Sequence, residues 1–155
     1  MKQIHRITDN KEKTIMKKLL PILFISLLAL WACDEENIPV NNDIKSFIEQ
    51  KYEGAKILYA EKGFNGETEV EIIHNNTSKE VKFNRKNNWI CTTWDIPTSQ
   101  LPDAAQSSIL GQYPNYRIDD VDYVEKPTGD YYTVEIEKGE WERTLFVTAD
   151  GEILN

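Results

Sequence analysis

Cys33 is the residue of this sequence whose surroundings most clearly indicate chemistry. Cys33 is preceded by an apolar run, residues 19–32, which itself comes directly after Lys17 and Lys18. A basic start, a short apolar stretch and a small residue at the exit are typical of a secretory signal. The run is shorter than the ~20 apolar residues that a membrane-spanning helix needs. We therefore predict that residues 16–32 are a signal peptide that is removed.

The four residues from Leu30 to Cys33 are spaced as in the bacterial lipobox, the motif that directs lipid attachment to a cysteine. Leu30 supplies the aliphatic residue three positions before the cysteine, and Ala32 the small residue just before it. Trp31 departs from the motif, in which the middle position is normally small. The alternatives are an ordinary cleaved signal with a chance cysteine and an uncleaved anchor. We predict that Cys33 carries a lipid that anchors the protein to a membrane.

The segments on either side of the signal are polar. Residues 1–15 are mixed in charge, unlike the basic start of a signal, and we interpret them as an upstream extension. Residues 33–42 contain one proline and are predicted to tether the lipid to a folded part. The acids at 34–36 resemble the surface-export signal of Bacteroidetes-type lipoproteins. We expect an exported protein on the periplasmic or surface side of the bacterial outer membrane.

The charge of the predicted mature chain, residues 33–155, argues against nucleic acid as a partner. Six basic and two acidic residues leave with residues 1–32, so 12 basic and 24 acidic residues remain, a net charge of −12. Nucleic-acid binding depends on clustered Lys and Arg that neutralise phosphates. The excess of acid instead favours a protein partner with a basic or amphipathic surface.

The potentially reactive side chains of the mature chain do not have the spacing of a catalytic or metal site. Cys91 lies in a predicted strand, where a lone cysteine is usually a small apolar residue. His74 is the only histidine after the leader, whereas a metal site needs several converging ligands. Asp119, Asp120 and Asp122 alternate along a predicted strand, so they cannot all reach one ion. We predict no enzymatic activity, no metal and no cofactor.

The sequence contains the same pattern twice: one helix followed by four strands. These elements must position the side chains named above. Apolar residues from Ile44 to Tyr52 have the spacing of one helix face, with Asn41 or Asn42 as the cap, and four strand-like runs follow. Apolar positions of the second segment match the first at a spacing of 61 to 64 residues. We predict an α+β fold of two tandem helix-plus-antiparallel-sheet repeats, residues 43–97 and 98–155, with both helices on one face of a joined or adjacent sheet.

Helix-end and turn motifs resemble those of the PepSY-like family, which is also described as β-lactamase-inhibitor-like. They are Leu101-Pro102, Tyr113-Pro114, the run from Tyr132 to Ile136, and Phe146 through Glu152. The first segment matches more loosely, since Glu53 replaces the proline. The resemblance implies a non-enzymatic module that binds or inhibits a protein through the open face of its sheet.

The alternation of the predicted strands indicates which residues this open face presents. If Tyr132, Val134 and Ile136 point into the core, their neighbours point to solvent. Exposed aromatic residues among acids are typical of a protein-binding surface. The predicted partner-binding residues are Glu69, Glu71, Tyr131, Thr133, Glu135 and Trp141. Two alternatives are that the same aromatics stack on a carbohydrate or another small ligand, and that half of them only cover the edges of the core.

Overall fold

The computed structural model describes residues 38–63 and 65–154. The described part begins with helix α1, Asn42–Lys51, and four strands follow: β1 (Lys56–Lys62), β2 (Thr68–His74), β3 (Thr77–Phe83) and β4 (Trp89–Asp95). A 3-10 turn, Thr98–Gln100, leads to helix α2, Asp103–Gln112, and four more strands: β5 (Arg117–Glu125), β6 (Tyr131–Lys138), β7 (Trp141–Val147) and β8 (Ile153–Leu154). The predicted signal peptide and Cys33 lie outside the described residues.

All eight strands form one sheet in which every strand pairs antiparallel with its neighbour in the sequence. The predicted α+β class of two helix-plus-sheet repeats is therefore wrong. The described residues are mainly β, with two helices of ten residues each. At the predicted boundary between repeats, Thr92 to Asp95 pair with Asp122 to Glu125, so one ladder continues across it. If the two repeats had separate sheets, each sheet would expose an edge strand here, and the pairing of β4 with β5 removes both edges.

The first helix begins as its sequence predicts. The side-chain oxygen of Asn41 accepts a hydrogen bond from the N–H of Asp43 at 2.7 Å, which satisfies one free donor of the first turn. Ile44 and Ile48 are buried on one face of α1. Gly54 follows with a φ of 78°, a conformation that favours glycine after a helix. Neither α1 nor any other helix of the described residues is long and apolar enough to cross a membrane.

The second helix is held by a turn at the far end of the sequence. Pro102 precedes its first residue, and Ala105 and Ile109 are buried. Gly151, in the turn between β7 and β8, has a φ of 90°. A Cβ atom at Gly151 would lie 2.7 Å from the carbonyl oxygen of Ala104. Only glycine therefore fits this close approach of the turn to α2.

Both helices pack on the same side of the sheet, over two clusters of buried side chains. The first cluster joins α1 to β1, β2 and β3: Ile44, Ile48, Tyr52, Ala60, Val70, Ile72, Val81 and Phe83. The second joins α2 to β5, β6 and β7: Ile96, Leu101, Ala105, Ile109, Val121, Val134, Ile136, Leu145 and Val147. Val81 lies opposite Thr92, and Thr92 lies opposite Glu125, so this face continues from one cluster to the other. We call the opposite side of the sheet the outer face.

Candidate protein-binding face

Five of the six predicted partner-binding residues lie on the outer face. Val70 and Val134 are fully buried under the helices, and side chains along a strand alternate between the two faces. The predicted inward direction of Val134 and Ile136 is thereby confirmed. The residues that alternate with these buried positions are Glu69, Glu71, Tyr131, Thr133 and Glu135.

Strands β1 to β5 shape a depression in the outer face with a volume of about 510 Å³. Six carboxylates line it, and together they come from all five strands: Glu61, Glu69, Glu71, Glu80, Asp95 and Asp122. Of its two lysines, Lys82 alternates to the outer face. Lys79 alternates to the helix side, where its Nζ lies 3.0 Å from the centre of the Trp94 ring. The depression is therefore strongly acidic.

Lys82 neutralises one side of this depression. Its Nζ lies 2.7 Å from a carboxylate oxygen of Glu80 and 3.6 Å from one of Glu69. Burial opposes the charge of Lys82, but the hydrogen bond to Glu80 and the charges of both glutamates outweigh it and raise the pKa of Lys82. Glu71 accepts a hydrogen bond from the Ser78 hydroxyl at 2.7 Å.

At Asp122, among the described residues, negative charges accumulate without an ion pair. Burial raises the pKa of Asp122, and the neighbouring carboxylates Asp120, Asp95, Glu135 and Glu80 raise it further. Asp95 lies directly opposite Asp122 in the sheet. A positive group placed between these two carboxylates would be attracted by both.

An apolar patch adjoins the acidic depression on the outer face. The rings of Tyr131 and Phe146 are 5.8 Å apart and nearly perpendicular, and 44% of Phe146 is exposed. Leu154 lies opposite Phe146, and Val124 lies opposite Tyr131.

Burial raises the pKa of the nearby Cys91 thiol. Its neutral form is therefore favoured, as the interpretation of Cys91 as an apolar residue requires.

A family model described as "Putative beta-lactamase-inhibitor-like, PepSY-like" matches residues 66–155, more than half of the chain. The chain belongs to the PepSY-like family. The resemblance stated from the helix-end and turn motifs is thereby confirmed. The match is one continuous segment, and it does not establish the predicted tandem repeats.

Solved structures from Bacteroides species share the fold of this PepSY-like chain. A BLIP-like protein from Bacteroides fragilis is 24% identical, with a TM-score of 0.67 over 79% of this chain and 88% of its own. A DUF2874 family protein from Bacteroides ovatus is 19% identical, with a TM-score of 0.66 over 76% and 86%. A structure from Bacteroides eggerthii, described as "putative periplasmic proteins", is 13% identical, with a TM-score of 0.60 over 76% and 88%. No curated protein matches the sequence.

Trp141 does not lie beside the other five predicted residues of the PepSY-like chain. It is 75% exposed at the hairpin between β6 and β7. In β7, Trp141 lies an even number of residues from Leu145, which is opposite the buried Val134 on the helix side. Side chains an even number of residues apart in a strand share a face. Trp141 therefore projects on the helix side of the sheet.

The remaining candidate side chains do not converge in the structure. Asp119 lies at a bulge and pairs with Arg117 at 2.7 Å, whereas Asp120 and Asp122 point to the outer face. His74 packs near Tyr52, with ring centres 5.5 Å apart. Within residues 38–63 and 65–154, no group of His, Cys, Asp and Glu is arranged to hold a metal ion.

Reasoning from the sequence missed several residues of the outer face. Glu61, Glu80, Asp95, Asp122 and Phe146 were not among the predicted partner-binding residues, although they line the depression or the patch. Alternation alone could have placed Glu80 outward, since it lies next to the buried Val81. Asp95 lies opposite Asp122 because of the register between β4 and β5, and no residues close in sequence indicate that register.

Proposed function

We propose that this PepSY-like chain is an exported, non-enzymatic module that binds a protein through its outer face. The observation that carries the proposal is the shape of the sheet: both helices cover one side, and the other side presents aromatic and acidic residues that are at least partly exposed. No helix of the described residues packs on the outer face. The family description, which is inhibitor-like, supports binding rather than catalysis.

We further propose that the protein is held at the cell envelope by a lipid on Cys33. The lipobox spacing of Leu30, Ala32 and Cys33 supports this, as does the periplasmic description of the Bacteroides eggerthii relative. A Cys33→Ser variant should move from the membrane fraction to the soluble fraction of cells. Unchanged membrane retention would contradict lipid attachment at this residue.

The geometry favours a protein over a carbohydrate as the ligand. A sugar stacks on an open ring face, and the edge-to-face arrangement of Tyr131 and Phe146, inclined at 82° to each other, covers part of one such face. Their edges and faces suit the irregular apolar side chains of a protein. The acids around them supply the polar rim of a protein interface.

Site-specific photo-crosslinking tests the proposed face. The full chain, with Tyr131→p-benzoylphenylalanine, is incubated with envelope extract from a Bacteroides species and irradiated. The matched control carries the same group at Arg143, which is exposed but lies opposite Ile136 on the helix side. We expect a crosslinked protein from position 131 and none from position 143. Equal capture from both positions, or capture from 143 alone, would contradict the proposal.

A further inference from the structure

The outer face sets acids directly opposite acids in five of the seven strand pairings. The five pairs are Glu61 with Glu69, Glu71 with Glu80, Asp95 with Asp122, Asp120 with Glu135, and Glu137 with Glu142. Like charges directly opposite each other destabilise a sheet. The arrangement therefore works against folding, and proteins retain such costs where function needs them.

Cations of the chain compensate this face only in part. Lys82 contacts Glu80 and Glu69, and Arg117 contacts Asp119 and Glu137. By contrast, Asp95 and Asp122 form no ion pair with any residue of the described part of the chain. Asp120 and Glu135 likewise form no ion pair there, so uncompensated negative charge surrounds Asp122, which lines the depression near the middle of the sheet.

The apolar patch begins next to this pair. Thr93 precedes Asp95 on the outer face of β4 and lies opposite Val124, and Val124 lies opposite Tyr131 on the next strand. An occupant of the outer face thus contacts unpaired carboxylates, the partly exposed Tyr131 ring and the exposed Phe146 ring on neighbouring strands. It must offer a complementary charge to the carboxylates and apolar surface to the rings.

We propose that the occupant is a protein segment that presents arginine or lysine to Asp95 and Asp122 and an apolar side chain to Tyr131 and Phe146. This inference rests on the proposed function and adds the chemistry of the partner. A cation between the two carboxylates relieves the repulsion that the sheet itself leaves in place. Arginine suits the position best, because its planar guanidinium can bond to two carboxylates at once.

A defined peptide tests this chemistry on the full chain in non-ionic detergent. The probe is a fluorescent synthetic peptide that alternates arginine and leucine with serine spacers. One control peptide has citrulline in place of arginine, and another has serine in place of leucine. Fluorescence anisotropy at about 0.15 M salt, where exposed charges are screened beyond ~8 Å, measures affinity. We expect each control peptide to bind about tenfold more weakly than the probe.

Variants of the chain locate the contact. Asp95→Asn combined with Asp122→Asn should weaken binding of the arginine peptide about tenfold. The same variant should raise the thermal midpoint of unfolding, because it removes a directly opposed pair of like charges. A matched control, Glu49→Gln with Glu53→Gln, removes the same net charge from exposed positions in α1 and just after it, and should change the affinity by less than about twofold.

The outcomes separate this inference from the proposed function. No binding of the arginine peptide, or an equal loss in both pairs of variants, would overturn the inference. A lowered midpoint in the Asp95 and Asp122 variant would refute its premise. A natural partner crosslinked at position 131 through an acidic or uncharged segment would also overturn it, while the proposed function would stand. Failure of capture at position 131 would count against the proposed function itself.

Discussion

At the scale of a single residue, the pKa of Asp122 reflects the excess of negative charge on the outer face. Burial and its neighbours raise the pKa of this carboxyl above the ordinary value of aspartate. The carboxylates that face it come from four strands: Glu80, Asp95, Asp120 and Glu135. Lys82 is a cation that lines the same depression, but it is already bonded to Glu80.

The raised pKa predicts a specific pH dependence of stability. The folded state holds the Asp122 proton more tightly than the unfolded state, so the ionised carboxylate destabilises the fold at neutral pH. This cost is relieved as the pH falls through the folded-state pKa toward the ordinary value of aspartate. An NMR titration of the carboxyl carbon should show the raised pKa, and Asp95→Asn should lower it. A pKa at or below the ordinary value would contradict the account.

At the scale of elements, turns decide where the helices and strands meet. Asn75 and Asn76 have φ values of 52° and 62°, as a tight hairpin between β2 and β3 requires. Asparagine is common at such positions because it tolerates positive φ. Gly151 differs, because its turn also contacts α2, and its requirement for glycine comes partly from the Ala104 carbonyl.

A Gly151→Ala substitution should therefore be unusually harmful. The new methyl group adds backbone strain at a φ of 90° and a clash with Ala104, for a total of about 2–4 kcal/mol. The control is Gly139→Ala, where φ is 65° and no atom lies within 4 Å of the added Cβ, so only about 1 kcal/mol of strain is expected. Urea unfolding of both variants measures the difference. Equal losses of stability would show that the contact with α2 is unimportant.

At the scale of the whole molecule, the two core clusters belong to one continuous sheet. The Tyr52 hydroxyl, just after α1, lies 2.6 Å from Oγ1 of Thr92 and 2.8 Å from a carboxylate oxygen of Glu125. Lys51 also contacts Glu125, at 2.6 Å. The first helix is thereby bonded to β5, which packs against the second helix. This network was not anticipated from the sequence.

We expect the described part of the chain to unfold in one transition. Tyr52→Phe should lower the free energy of unfolding by about 1 kcal/mol, since it removes the hydroxyl that joins the two halves. In this variant, the urea midpoints of unfolding measured from the methyl NMR signals of Val70 and Val134, one in each cluster, should fall by the same amount. Tyr113→Phe, at the end of α2, is the control. Separate transitions for the two valines would show that the halves fold independently.

Local patterns allowed much of the fold and part of the site to be predicted. The Asn41 cap, the buried face of α1 and the alternation of Tyr132 to Ile136 all depend on residues close in sequence. The placement of Trp141 was harder, because the choice of face at a hairpin end depends on register. The fold class was wrong because two helices of ten residues each add little to a sheet of eight strands, and because β4 pairs with β5 in one ladder instead of closing a first repeat.

The sequence by itself determined the family, the hairpins and the outward direction of most acids, because strand alternation and turn chemistry are local. The sequence predicted both helices on one face of a joined or adjacent sheet, and only the tertiary structure decided that the sheet is joined and carries all eight strands. It also decided that Asp95 faces Asp122. Such pairings join residues far apart in the chain, and their register is set by packing of the whole sheet against both helices.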